Sequence, residues 1–150
     1  MIKIRQECEI KTAGTVSDYA TKLLTDVLAA ENVLSSDCTI IFTDDDYLSE
    51  LKKKFFGLNQ LTDVIAFRLN DYTEKEVEGE IYISLPRARE NATQYSEPYG
   101  REVARLIIHG GLHLLGYDDQ TDSEQAAMRS LEEKYLEKFG WTELITECEQ

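Results

Sequence analysis

The sequence predicts an α+β fold: one domain over residues 1–150, with a mixed sheet of about four strands packed by about five helices. Three observations carry that expectation. Apolar residues alternate at the start of the chain but recur every three or four positions in several later stretches. These stretches follow one another in the order β α β α β β α α α. The chain of 150 residues is 42% apolar, enough for a core, with no internal repeat, low-complexity tract or Pro/Ser-rich linker.

Residues 2–10 alternate through Ile2, Ile4 and Ile10 and read as a strand. After Thr12-Ala13-Gly14, Val16, Tyr19, Ala20, Leu23, Leu24, Val27 and Leu28 have helical spacing, so a helix is expected from Val16 to about Ala30. "CTIIFTD", 38–44, reads as a buried strand. Asp44-Asp45-Asp46 is placed to cap a helix from Tyr47 to about Phe56, which Gly57 terminates.

"TDVIAFRL" (62–69) and "GEIYISL" (79–85) read as two strands, with "NDYTEKEVE" as a hairpin loop or irregular insertion. Pro86 opens a short helix to about Thr93. Ser96-Glu97-Pro98 starts a long one, with Val103, Leu106, Ile107, Gly110 and Leu114 as its buried stripe and Gly116 as its end. Thr121-Asp122-Ser123-Glu124 is a capping box. It opens a last helix whose Ala127, Leu131, Tyr135 and Leu136 are expected to face inward, with Gly140 as the stop.

Net charge is −13, which argues against broad, non-specific nucleic-acid binding. Residues 118–150 carry ten acidic and three basic side chains, −7 of that total. Lys52-Lys53-Lys54, Arg68, Arg87, Arg89, Arg101 and Arg105 lie earlier, either as a local basic groove or as ordinary solvated charges. Three widely spaced cysteines, Cys8, Cys38 and Cys148, form no CxxC pair and read as free thiols in a reducing cytoplasm. No run of about 18 apolar residues and no signal-peptide pattern is present, so the expectation is a cytoplasmic protein without a membrane partner.

The most informative stretch is "HGGLHLLGYDD", 109–119, which holds both histidines of the chain. Four residues apart on a helix, His109 and His113 can aim two imidazoles at one point. Gly116 can end the helix and turn the chain so that Asp119 supplies a third ligand, leaving a fourth position open for water, as in catalytic zinc sites. The spacing matches the metzincin protease form HExxHxxGxxH with two changes. Gly110 stands where the protease has its general-base glutamate, and Asp119 replaces the third histidine. The bland alternative is two ordinary helix histidines, with Asp118 and Asp119 merely preceding the next helix.

This stretch resembles the H-G-x-L-H-L-x-G-Y-D-H signature of the YbeY family of metal-dependent endoribonucleases. "LTDVIAF" (61–67) is similar to the family's PTDVLSF strand and "GEIYIS" (79–84) to its GDIxIS strand. The resemblance implies a single domain of that family, with helices around a small mixed sheet and a metal site at the end of a core helix. It implies one zinc-type ion per chain, cleavage of single-stranded RNA, 3′-end maturation of small-subunit ribosomal RNA, and ribosome quality control. Implied partners are ribosomal RNA and the small ribosomal subunit, with ribosomal proteins or an assembly GTPase as further candidates. The acidic C-terminal segment would suit a basic ribosomal protein.

The family's first two metal histidines map onto His109 and His113, and the third onto Asp119, a departure. Carboxylate is a harder ligand, so manganese, nickel or another divalent ion stays open beside zinc. In a second departure, the family's arginine in a YRGKD-like stretch is replaced by Phe56 of "FFGLNQ". Lys54, Arg87 or Arg89 can stand in for it against RNA. Phe56 can stack a base, or be a core aromatic. With both histidines on metal, the acid–base role passes to metal chemistry and to Asp118, which can orient a ligand histidine, accept a proton, or be a plain surface acid. The nucleophile is water or the substrate's 2′-hydroxyl. Two rivals remain: a ribosome-assembly factor that binds RNA or protein around a structural metal, which the −13 charge and the lost arginine favour, and a small zinc hydrolase or protease.

Overall fold

The computed structural model describes residues 1–7, 15–58 and 62–146. Along the chain these form β1 (Ile2–Gln6), β2 (Thr15–Val16), α1 (Tyr19–Ala30), β3 (Ser36–Thr43), α2 (Asp45–Phe56), β4 (Val64–Arg68), β5 (Val77–Ser84), α3 (Leu85–Gln94), α4 (Tyr99–Leu114), α5 (Asp122–Phe139) and β6 (Ile145–Thr146). The main sheet has the order β1-β3-β5-β4. β1 and β5 run parallel to β3, while β4 returns antiparallel along β5. A second, two-stranded sheet pairs Val16 with Ile145.

Alternation along the strands divides the core. Cys38, Ile40, Phe42, Ile81 and Ile83 face a large cluster with α1 and α4. Ile41, Ile65 and Tyr82 face the opposite side, where α2 covers them with Leu48. The sheet is therefore buried on both faces, as its mostly parallel strands require.

Local chemistry sets the helix ends. The Asp44 side chain accepts from the Tyr47 amide and Gly57, at φ 67°, closes α2. Thr121 and Glu124 form the reciprocal capping box of α5. Within α4, Val103, Leu106, Ile107, Gly110 and Leu114 are all buried, as their spacing predicts.

Three expectations change. Val16 belongs to β2, not to α1, because it pairs with Ile145 far along the chain. On α5, Ala127 is exposed and Leu131 half-buried. The buried residues are Met128, Glu132, Tyr135 and Leu136, and the polar Glu132 completes a stripe that an apolar-only reading places one residue early. As a buried residue, Glu132 also leaves the acidic outer surface of α5 to Glu133 and Glu137. Cys38 is a buried free thiol, and burial pushes its pKa up to about 11. Cys8, Cys148, Ile10, Leu61 and Thr12-Ala13-Gly14 lie outside the described residues.

Candidate metal centre

Helix α4 crosses the core at very short range. A methyl group built on Gly110 would lie 2.5 Å from Ile81 Cγ2 of β5, and one on Gly111 would lie 2.8 Å from Leu24 Cδ1 of α1. The side of α4 that carries position 110 is pressed on the sheet, while His109 and His113 face a cleft. A glutamate at 110 would therefore meet Ile81, so the protease reading loses its general base on steric grounds as well as by sequence.

Past Leu114 the chain reverses. Gly116, at φ 96°, donates to the His113 carbonyl at 3.0 Å and Tyr117 to the Leu112 carbonyl at 3.2 Å, which is a Schellman closure. Arg68 donates to the Leu114 carbonyl at 2.8 Å, placing a cation at the helix C-terminus. The turned segment carries Asp119 back toward the histidines, and Gln125 holds the Asp119 carbonyl at 3.0 Å.

His109 Nε2 and His113 Nε2 lie 2.9 Å apart, and Asp119 Oδ2 lies 3.4 Å and 3.5 Å from them. The opposite ring nitrogens are both committed. His113 Nδ1 contacts the Tyr117 carbonyl at 2.8 Å, which can only accept. His109 Nδ1 contacts Glu132 Oε2 at 2.7 Å, a carboxylate oxygen whose twin receives Arg105 Nη1. Both partners favour the Nδ1–H tautomer of the imidazole they contact. In that tautomer three lone-pair atoms converge, an arrangement that a cation relieves. The circle through the three atoms has a radius of about 1.9 Å, close to the distance of about 2.0–2.1 Å at which imidazole nitrogen binds zinc. The residues fit a zinc-type divalent ion.

Behind His109 lies a buried polar chain. Glu132, 3% exposed, receives Arg105 Nη1 at 3.1 Å on its other oxygen. Arg105 grips Glu102 with Nε and Nη2, both at 2.8 Å, and the Glu102 carboxylate raises its already high pKa further. Asn91 donates to Glu102 and to Asp63. On the far side Tyr117 and Tyr135 both donate to Glu31 at the end of α1, which ties the turn to α1 and α5. Burial, and then this bond, push the Tyr135 pKa up.

The cleft over the three ligand atoms encloses about 700 Å³ and is lined in part by Lys52, Phe56, Asp63, Tyr72 and Asp118. A larger hollow of about 980 Å³ adjoins it beyond Tyr72 and Tyr117, walled by Glu31, Glu74 and Glu76 without a converging ligand set.

The site residues expected from the sequence divide as follows. His109, His113 and Asp119 meet. Phe56 reaches the cleft and is 48% exposed, stacked on Phe67 at 6.0 Å, so it is not a core aromatic. Asp118 is exposed on the same rim, but the histidine nitrogens it was expected to orient are held by Glu132 and the Tyr117 carbonyl. Lys54 lies over Phe55 at 5.4 Å, outside the cleft lining; Lys52, one helical turn before Phe56, is the lysine that lines it. Arg87 is paired with Asp45 at 2.8 Å and Arg89 lies 3.9 Å over the Tyr99 ring, both outside the cleft lining. Glu132 was missed by sequence reasoning. Its signal was a lone acid in step with Met128, Tyr135 and Leu136. Among the described residues no helix is long and apolar enough to cross a membrane.

Comparison with known proteins gives a consistent set of relatives. The family model described as Endoribonuclease YbeY matches residues 1–140. A protein of that name from Flavobacterium psychrophilum is 41% identical over 114 residues, 75% of this chain and 79% of the relative. One from Desulforamulus reducens is 43% identical over 108 residues, 67% and 71% of the two chains. One from Geobacillus thermodenitrificans is 33% identical over 132 residues, 81% and 85%. The solution structure of a Thermotoga maritima protein superposes with a TM-score of 0.66 at 28% identity, covering 93% of this chain and 89% of that one.

Proposed function

The chain belongs to the Endoribonuclease YbeY family, and from that premise we propose that it is a metal-dependent endoribonuclease that cleaves single-stranded RNA in ribosomal-RNA processing. The observation that carries the metal dependence is the convergence of His109 Nε2, His113 Nε2 and Asp119 Oδ2 with both outer ring nitrogens committed.

His109, His113 and Asp119 hold the ion, zinc in our reading, with manganese or nickel admitted by the carboxylate ligand. A divalent ion bound there supplies a Lewis acid for a phosphoryl oxygen and lowers the pKa of bound water. With an ion held on both Nε2 atoms and each Nδ1 committed, neither histidine would be left to shuttle a proton. Asp118 on the cleft rim is the carboxylate we assign to accept one. Phe56 offers a face for a base, and Lys52, with Nζ 5.0 Å from the Phe56 centroid, offers a charge for the adjacent phosphate. Lys54 extends this basic, aromatic end of α2, whereas Arg87 and Arg89 serve their own partners. We further assign the substrate as the 3′ end of small-subunit ribosomal RNA, with quality control of ribosomes as a linked role. The setting is the cytoplasm, and the partners are the small subunit with ribosomal proteins or an assembly GTPase.

The test is metal content by elemental analysis of wild type and Asp119→Ala, with cleavage of a single-stranded and a duplex RNA on the same samples. Near one metal per chain in wild type, lost together with single-strand cleavage in the variant, is the expected result. Full metal and full cleavage in the variant would overturn the site. One observation favours a second reading, an assembly factor with a structural metal: Phe56 stands where the family arginine would, and no arginine among the described residues lines the cleft. A ligand variant that still supports ribosome maturation would favour it.

A further inference from the structure

We propose that Glu132, anchored by Arg105, is the positioning residue that sets the tautomer of His109 and thereby the affinity of the metal centre. The inference rests on the proposed metal site but not on RNA as the substrate.

A carboxylate 3% exposed among Met128, Tyr135 and Leu136 is costly to bury unless both oxygens are satisfied. Both are. Arg105 Nη1 reaches Oε1 at 3.1 Å, and Oε2 is left to His109 Nδ1 at 2.7 Å. Arg105 cannot swing away, because Nε and Nη2 are locked on Glu102 and its remaining Nη1 is the group that meets Glu132. In the chain Glu102–Arg105–Glu132–His109 the guanidinium donates to both carboxylates, which leaves Glu132 Oε2 to accept from His109 Nδ1 and turns the Nε2 lone pair toward His113 and Asp119. Two buried carboxylates share this single guanidinium, so an excess negative charge sits directly behind the ligand and favours a cation in front of it.

The two histidines are unequal in this respect. His113 is oriented by the neutral Tyr117 carbonyl, His109 by a carboxylate that Arg105 holds in place. Glutamine at 132 has the same shape but cannot reproduce the pattern. With its oxygen on His109 it turns an NH₂ toward Arg105, donor against donor. With its oxygen on Arg105 it donates to His109 Nδ1 and moves the imidazole proton to Nε2, into the metal position.

The experiment measures Zn²⁺ affinity by chelator competition for wild type, Glu132→Gln, Glu132→Asp and the exposed control Glu133→Gln. Long-range ¹H–¹⁵N spectra read the histidine tautomers of the metal-free full-length chain, and denaturation midpoints are compared. Glu132→Gln should bind zinc about 10–100-fold more weakly with its fold kept, Glu132→Asp should recover part of the loss, and the control should match wild type. Wild-type His109 should carry its proton on Nδ1. Wild-type zinc affinity in a folded Glu132→Gln overturns the inference. So does an Nε2-protonated His109 in wild type, a readout that stands even if the variant fails to fold. Absence of zinc binding by wild type would instead overturn the metal site itself.

Discussion

Replacing Gly110 by alanine puts a methyl group where the structure leaves no room. Its Cβ would lie 2.5 Å from Ile81 Cγ2 and 3.3 Å from Cγ1 and Cδ1, against an ordinary carbon contact of about 3.5–4.0 Å. Ile81 cannot retreat, being fully buried in β5 between Ile40 of β3 and Ala66 of β4. Overpacking of this kind costs about 1–3 kcal/mol. Alanine in place of glycine within a helix returns about 1 kcal/mol. Because the clash is with a branched methyl held in the sheet, the upper part of the range applies, for a net loss of about 1–2 kcal/mol. Urea denaturation of metal-free protein measures it. In an Ile81→Ala background the clash is gone, and the same Gly110→Ala change should stabilise by about 1 kcal/mol. A variant as stable as wild type, or the same sign in both backgrounds, would refute the claim that α4 is pressed on the sheet at this point.

Other outcomes follow from single contacts. Phe56→Ala should raise KM for single-stranded RNA about 5–150-fold, at about 1–3 kcal/mol per stacked base, while Arg87→Ala leaves KM near wild type; equal effects would remove Phe56 from the substrate path. The Cys38 thiol keeps its proton to about pH 11 in the folded chain but ionises near 9.0 when unfolded. The unfolded chain then binds fewer protons, and stability should fall between those values by up to about 2.7 kcal/mol. Cys38→Ser should flatten that alkaline slope, and an unchanged slope counts against burial of the thiol. Thr121→Ala removes the side chain that accepts from the Glu124 amide at 3.1 Å and should cost about 1 kcal/mol by denaturant midpoint. A neutral result would mean that the capping box adds nothing to α5.

Features set by neighbours in sequence were legible. Glycines 57, 116 and 140 end their helices, each at positive φ, and the α4 stripe holds at every predicted position. The three ligand atoms also follow from local spacing, since an i, i+4 pair and one tight reversal bring them together. Features set by distant partners were not. Residues 15–16 pair with 145–146 over two positions each, too short for any period to emerge. Arg87 and Arg89 are held by Asp45 and Tyr99, which no local pattern announces. The choice of Lys54 over Lys52 was a matter of helix phase: position 52 shares a face with 56, and position 54 does not. Glu132 was lost because only apolar residues were counted as inward-facing.

Glu31 ties the Tyr117 turn to Tyr135, and Glu132 lies on the same last helix, α5. During synthesis the chain emerges from its N-terminal end. Residues 109–119 leave the ribosome well before residues 132 and 135 do. A nascent chain at that stage has the three proposed metal ligands but neither the carboxylate that contacts His109 nor the tyrosine that shares Glu31 with the turn. With the role proposed for Glu132, the aim of the centre waits for α5, a helix made after the residues it orients.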